Sequence, residues 1–367
     1  MKPQLLRIIF VPLLALLGGC GNLGYYLQSA HGQLDLLARA RPVSEVLADP
    51  GTPQDLKARL AAALAAREFA SRELALPDNR SYRNYADLAR PYVVWNVFAA
   101  PELSVRLHEW CFPVAGCVGY RGYFALEDAE AFAAGLQAQG FETFVSGVPA
   151  YSTLGWFSDP VLSTFIRYPE AEVARLMFHE LAHQVVYLPG DTEFNESFAT
   201  AVEAEGMRRW LDAAGTPATR AAYADLQEKK RRFVALVLEY REQLERVYAL
   251  AVSDEEKRRR KREALDALRA DYARLKVSWG GYSGYDRWFA QDLGNAHLGS
   301  VAAYTRLVPA FQALLAEQGG DLPRFYESVR GVSRLSDEKR AARLAELAER
   351  ARRGAWAGHT GVSGAGS

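Results

Sequence analysis

The chain has 367 residues, and its 44 Lys+Arg balance its 44 Asp+Glu to a formal net charge of 0. That length supplies a sizeable core and one or two domains. The balance gives no electrostatic case for nucleic acid as a partner, which would call for a strongly basic surface.

Residues 1–19 read as a targeting segment. Lys2 and Arg7 make a positive start, and the apolar run over 8–17 is too short to span a bilayer as a stable helix. Two helices are expected between Tyr25 and Ala75. Leu34, Leu37 and Ala38 edge the first, and Pro42 breaks it. The second, over 55–74, is rich in Ala, Leu, Arg and Glu, with Leu56, Leu60, Ala63, Leu64 and Ala70 at helical spacing. Over 92–157 the character changes. Tyr92 to Phe98 is aromatic and β-branched, and 120–124 and 141–145 look like further strands. A helix over 128–139, ended by Gly140, lies between the last two. Strand, helix, strand suggests a small mixed sheet. The segment 147–155, GVPAYSTLG, is a candidate edge along which an extended peptide could pair. Trp156, Phe157 and Pro160 are read as core or pocket wall.

Helices are expected over 170–187, with Pro169 at its start, and over 191–211, with Asp191 or Thr192 as cap. Residues 218–276 read as a long helical hairpin able to project from the body, with a basic run at 257–262. Its bland reading is a solvated face; headgroup or partner contact is the alternative. Glycines break the helices over 279–304, 301–316 and 323–329 close the fold, and a Gly-rich flexible tail is expected over 354–367. The fold class is therefore α+β and mainly helical: a small mixed sheet beside a metal-binding helix, plus the hairpin. Residues 20–353 form one domain in this reading.

The chemistry concentrates in 178–206, FHELAHQVVYLPGDTEFNESFATAVEAEG. His179 and His183 stand four apart, so a helix carries both on one face, ready to share a metal. Catalytic zinc takes three protein ligands and keeps a position for water. Glu196, thirteen positions after His183 and beyond a Pro189-Gly190-Asp191 break, offers the third. Glu180 can lean toward the open side as a base. Only six His occur in the chain, so a chance HExxH is rare. The bland alternative is a helix with two buried or exposed histidines and an ordinary solvated Glu. Glu203 shares a face with Glu196 and Thr200, and is a candidate outer partner for a ligand imidazole. Tyr282, Tyr285 and His297 are candidate oxyanion donors, with core packing as their alternative. Glu193, Glu203 and Glu205 are available to hold a substrate amine, and nothing chooses among them.

Only three Cys occur. Cys111 and Cys117 enclose a turn-like segment, and in an oxidising compartment they pair as a disulfide; a metal pair is the weaker alternative. His108 nearby is read as a surface or packed residue before a ligand. Leu17-Gly18-Gly19-Cys20 resembles the lipobox of bacterial lipoproteins, which implies that Cys20 is lipidated and anchors the mature chain. The following Gly21, rather than Asp, looks like outer-membrane sorting.

HELAH followed by NESFATAVE resembles the gluzincin zinc peptidases, whose second motif reads NExxA or similar. With YYLQSAHGQLDLL, GVPAYSTLGWFSDPVLSTF and GNAHLGSVAAY, the chain from Cys20 to about residue 349 resembles a predicted family of bacterial zinc-dependent aminopeptidase lipoproteins. The resemblance implies one Zn2+ on His179, His183 and Glu196, with Glu180 as general base. The twelve residues between His183 and Glu196 make this a compact version of the motif pair. The expected function is a zinc peptidase, with aminopeptidase implied by the resemblance alone. Its partners would be a peptide or protein substrate and the membrane through Cys20, and its place the cell envelope, at the outer membrane facing the periplasm. A zinc endopeptidase, another envelope metallohydrolase, and a noncatalytic lipoprotein binding a partner through its hairpin remain the alternatives.

Overall fold

The structure is a computed structural model that describes residues 20–112 and 116–360, with side chains described for 23–112 and 116–353. The expected targeting segment and the side chain of Cys20 lie outside them. Helix α1 (Cys20–Arg39) comes first, then strand β1 (Arg41–Pro42), a short helix α2 (Val43–Ala48) and α3 (Gln54–Leu74). Pro42 does end the first helix. The connection it begins is long enough to form the extra turn-and-a-half of α2.

Next come β2 (Asn84–Ala86), β3 (Val94–Pro101), β4 (Trp110–Phe112), β5 (Gly116–Val118), β6 (Arg121–Tyr123), α4 (Leu126–Gln137), β7 (Phe141–Val148) and β8 (Val161–Leu162). Strand β3 is the centre of an antiparallel sheet in the order β6-β3-β7, with Val94 opposite Val148 and Pro101 opposite Phe141. Both faces of β3 are covered. Val97 and Ala99 pack under Ala129, Ala133 and Leu136 of α4. Phe98 and Ala100, with Phe144, pack on Ala296. Burial on both faces explains why 92–98 reads as a continuous apolar run instead of an alternating one. The mixed sheet lies elsewhere: β2 pairs antiparallel with β1 and parallel with β8. Strands β4 and β5 form a hairpin closed by the Cys111–Cys117 disulfide.

Helices α5 (Glu170–Ala182) and α6 (Thr192–Ala214) carry the HExxH and NExxA segments. Helix α5 stops five residues short of the expected Tyr187. Its last turn tightens, with the Gln184 and Val185 amides donating to the Leu181 and Ala182 carbonyls three residues back. The following loop is clamped by Asn195, whose amide group accepts from Leu188 N at 2.7 Å and donates to Leu188 O at 2.8 Å. Asp191 caps α6, accepting from Phe194 N at 3.0 Å. At Gly206 a Cβ would stand 2.8 Å from Leu74 and 3.0 Å from Phe178, so a glycine lets α6 approach α3 and α5 closely.

Helices α7 (Pro217–Ala249) and α8 (Asp254–Ser278) form the hairpin. It lies against the body instead of projecting: Val237, Leu244, Leu265 and Leu268 join one apolar cluster with Val105, Leu293 and Leu298. Its basic run is largely paired. Arg258 binds Glu102, Lys261 binds Glu142, and Arg259 and Arg260 bind Glu256. Then α9 (Asp286–Phe289), α10 (Asn295–Thr305), α11 (Val308–Glu317), α12 (Leu322–Ser333) and α13 (Asp337–Thr360) complete the chain. The single helix expected over 301–316 is two, with Pro309 in the first turn of the second. Gly354 does not begin the tail, because α13 carries on to Thr360; the rest lies outside the described residues. The main core gathers Phe178, Phe194, Phe198, Phe311 and Phe325 between α3, α5, α6, α11 and α12. Among the described residues no helix is long and apolar enough to cross a membrane.

Candidate metal centre

Helix α5 delivers His179 and Glu180 at its end and His183 at its cap; α6 delivers Glu196 and Glu203. The two imidazoles stand 5.0 Å apart, nearly perpendicular. Both Nε2 atoms face one oxygen, Glu196 Oε2, at 3.2 Å from His179 and 3.7 Å from His183. The three residues are buried, and their ligand-type atoms all lie within 4.8 Å of one another. The other nitrogen of His179, Nδ1, meets Glu203 Oε2 at 3.0 Å. That leaves Nε2 for the shared point. The Nδ1 of His183 is buried with no hydrogen-bond partner among the described residues.

Two nitrogens and one carboxylate oxygen converging in a buried place are the donor set that zinc takes in catalytic sites, so the residues fit that ion. The electrostatics agree. Burial disfavours a charged His179, but its hydrogen bonds to the Glu196 and Glu203 carboxylates outweigh it and lift its pKa to about 10. Burial also opposes ionisation of Glu196, yet His183 and His179 hold its carboxyl at about 2. Both shifts favour positive charge beside Glu196, which is what a cation would supply. Glu203 is kept well below the usual carboxylate range, against its burial, by Arg175 and Lys230. Arg175 reaches Glu203 at 2.9 Å and Glu172 at 2.8 Å. Glu172, Arg175, Glu203, His179 and Glu196 form a chain of alternating partners, which is what buried charges require.

Glu180 is buried beside the three ligand-type residues, and burial pushes its carboxyl up while His179 and His183 pull it down. It opens onto a cavity of about 650 Å³ whose walls include Asn96, Tyr120, Tyr187, Thr200 and Tyr304. Burial and then the Glu196 charge raise the pKa of both Tyr120 and Tyr304 well above the ordinary phenol value, so both keep their protons.

The family model described as "Putative aminopeptidase" matches residues 24–344. The chain belongs to this family. No curated protein and no solved structure matches it.

The other candidates of this aminopeptidase-family chain fall in different places. Glu203 lines the cavity. Tyr285 stacks on Phe233 at 4.0 Å and Tyr282 packs against Trp279 and Tyr285, both at the hairpin and outside the cavity lining. His297 accepts from Gly294 N at 3.2 Å and lies 4.3 Å from the Phe144 ring, away from the cavity. Glu193 is bound by Arg306, and Glu205 by Arg208 and Arg209; neither lines the cavity. His108 packs on Trp110 and Phe141. Strand β7 ends at Val148, and residues 149–152 with Leu154 continue as cavity wall. Trp156 and Phe157, expected as core or wall, are exposed at 72% and 48%. Sequence reading passed over Tyr120, Tyr187, Tyr304 and Arg175. Only Arg175 left a signal, since it stands four residues before His179 on the same helical face.

Proposed function

We propose that the chain is a gluzincin-type zinc peptidase, of the aminopeptidase kind its family suggests. His179, His183 and Glu196 would hold one Zn2+, and Glu180 would act as general base. The observation that carries this is the convergence of both Nε2 atoms on Glu196 Oε2 with Glu180 alongside. Zinc held there supplies Lewis acidity that makes water acidic near neutral pH.

The chain's own residues do the rest. Glu203 fixes the tautomer and orientation of His179. Glu180 takes a proton from the attacking water and returns it to the leaving amine, a task suited to a carboxylate whose burial favours the protonated form. The protonated hydroxyls of Tyr120 and Tyr304 are the oxyanion donors we favour, because they line the cavity and sense Glu196 and Glu180. Residues 149–152 line the cavity, and an extended peptide would lie along them.

We place the protein in the bacterial envelope, lipid-anchored at Cys20 on the outer membrane and facing the periplasm. The Cys111–Cys117 disulfide supports an oxidising compartment. One observation favours an endopeptidase as the second reading: among the described residues the carboxylates in the cavity lining are Glu180, Glu196 and Glu203, and none of these is spare for a substrate amine. The test is cleavage of a peptide library by signal-free protein with zinc, beside Glu180→Gln, with mass spectrometry of products. Stepwise loss of N-terminal residues, absent in the variant, is the expected result. Internal cuts select the endopeptidase, and no cuts by zinc-loaded protein overturn the peptidase reading.

A further inference from the structure

Helix α1 has two unlike faces. The inner one is fastened to the catalytic half. Gln28 accepts from Phe124 N at 3.2 Å and donates to Gly122 O at 3.3 Å. The Tyr25 ring stacks on Phe112 and lies under the Arg121 guanidinium, 4.0 Å away. A Cβ at Gly32 would fall inside the Phe124 ring, so only glycine permits this seat. Tyr25, Ser29 and Gln33 line the cavity of the metal centre, and Gln33 is hydrogen-bonded to Tyr151.

The outer face is largely apolar and bare, with the exposed His31 between Leu27 and Leu34 as its polar interruption. Leu23, Tyr26, Leu27 and Leu34 recur at helical spacing and are 57%, 42%, 61% and 64% exposed. No Asp, Glu, Lys or Arg occurs from Cys20 through Leu34; the first charges are Asp35 and Arg39, which pair with each other. From the same cavity wall, just past Leu154, Trp156 and Phe157 also reach into solvent.

We propose that this face of α1 docks into the headgroup layer of a phospholipid bilayer and holds the wall of the catalytic cavity at the membrane surface. The substrates it selects would then be polypeptides held at that surface. The inference rests on the lipid-anchor reading. Helix α1 begins at Cys20 itself, so acyl chains there leave no linker, and Leu23 follows within one turn. Apolar side chains of an interfacial helix add to the binding that acyl chains supply, in proportion to the apolar area they bury. Exposed aromatics such as Trp156 and Phe157 suit the membrane–water boundary. The stripe, about 16 Å long at 1.5 Å per residue and one helix, about 10 Å, wide, covers on the order of 160 Å², small beside the roughly 800 Å² per partner of a stable protein interface, which disfavours a second copy.

The experiment uses signal-free, zinc-loaded protein with Cys20→Ser, so that no acyl chain contributes, and vesicles of phosphatidylethanolamine and phosphatidylglycerol. We expect co-sedimentation with vesicles that falls at least tenfold when Leu27→Glu and Leu34→Glu are added. Zinc content and hydrolysis of a soluble peptide should not change. The milder pair Leu27→Ser and Leu34→Ser guards against misfolding and should fall in the same direction. Absence of vesicle binding, or equal binding by parent and variants, overturns the proposal. So does a dimer in sedimentation velocity that the same substitutions dissolve, which would assign the face to a second copy. Labelling of the full chain with radioactive palmitate reads the anchor separately: no label at Cys20 overturns the anchor reading without touching the vesicle result.

Discussion

His179 and His297 are both buried, and their surroundings drive them in opposite directions. His179 has a carboxylate at each ring nitrogen, and those partners overcome burial and raise its pKa to about 10. His297 sits between Phe144 and Trp288, and burial, with Arg269 adding to it, lowers its pKa to about 4. The same contrast holds for the regions around them. Between α5 and α6 Glu196 and Glu203 answer His179 and Arg175, and Glu180 opens onto the cavity beside them. Around the hairpin, polar aromatics such as Tyr285 pack against each other and against Phe233. Burial by itself therefore does not mark a functional histidine. What its two nitrogens face decides the matter.

The sharpest break of this contrast is Glu180→Gln. It should keep metal and fold and lower kcat by about a thousandfold, within the range for lost acid–base catalysis; peptide hydrolysis with parallel zinc analysis reads it. Glu203→Gln removes the carboxylate that orients His179. Zinc affinity should weaken by about 10- to 100-fold, measured by competition with a chelator, and kcat at saturating zinc should change far less.

On the other side of the comparison, His297→Phe should leave hydrolysis within about twofold, because the residue only packs and accepts one amide proton. Its effect should appear in stability against pH. His297 is held neutral in the fold, so wild type has its full contribution above about pH 6.5 and loses it as pH falls toward 4, about 3 kcal/mol in all. Urea unfolding of the Phe variant should show a flatter acid limb. Asp159 gives the opposite and smallest sign. It is buried, hydrogen-bonded to Thr153 Oγ1 at 2.6 Å, and burial pushes its pKa up to about 6. Its contribution is present below about pH 3.8 and is lost as pH rises through 6. Asp159→Asn should therefore gain about 2 kcal/mol over wild type at pH 7 relative to pH 4. Equal urea midpoint differences at the two pH values would contradict this.

What could be read from the sequence follows a physical line. The ligand pair was legible because four-residue spacing on a helix is local geometry, and the α5 and α6 starts because Pro169 and Asp191 announce them. Asn195 was visible as a motif letter. Its work, clamping Leu188 so that twelve residues suffice between the motifs, shows only in three dimensions. Tyr120 and Tyr304 come from a strand edge and a late helix, and nothing local brings them to Glu196. Arg67 looks like any Arg in an Ala- and Leu-rich helix, yet it is fully buried and binds the Ser81, Pro77 and Asn79 carbonyls. Composition does not say which helical face turns inward. Strand order was equally hidden, since β6 and β7 pair with β3 and not with each other across α4. The exposed Trp156 and Phe157 show the converse: large aromatics usually mean core, and here they lie on the surface.

The measurement that bears most directly on the account is zinc per chain by elemental analysis after exhaustive dialysis. Wild type and Glu180→Gln should each hold one zinc, and His183→Ala and Glu196→Ala should hold almost none. Full zinc in the His183 and Glu196 variants, or none in wild type loaded with zinc, would contradict a metal centre at this site.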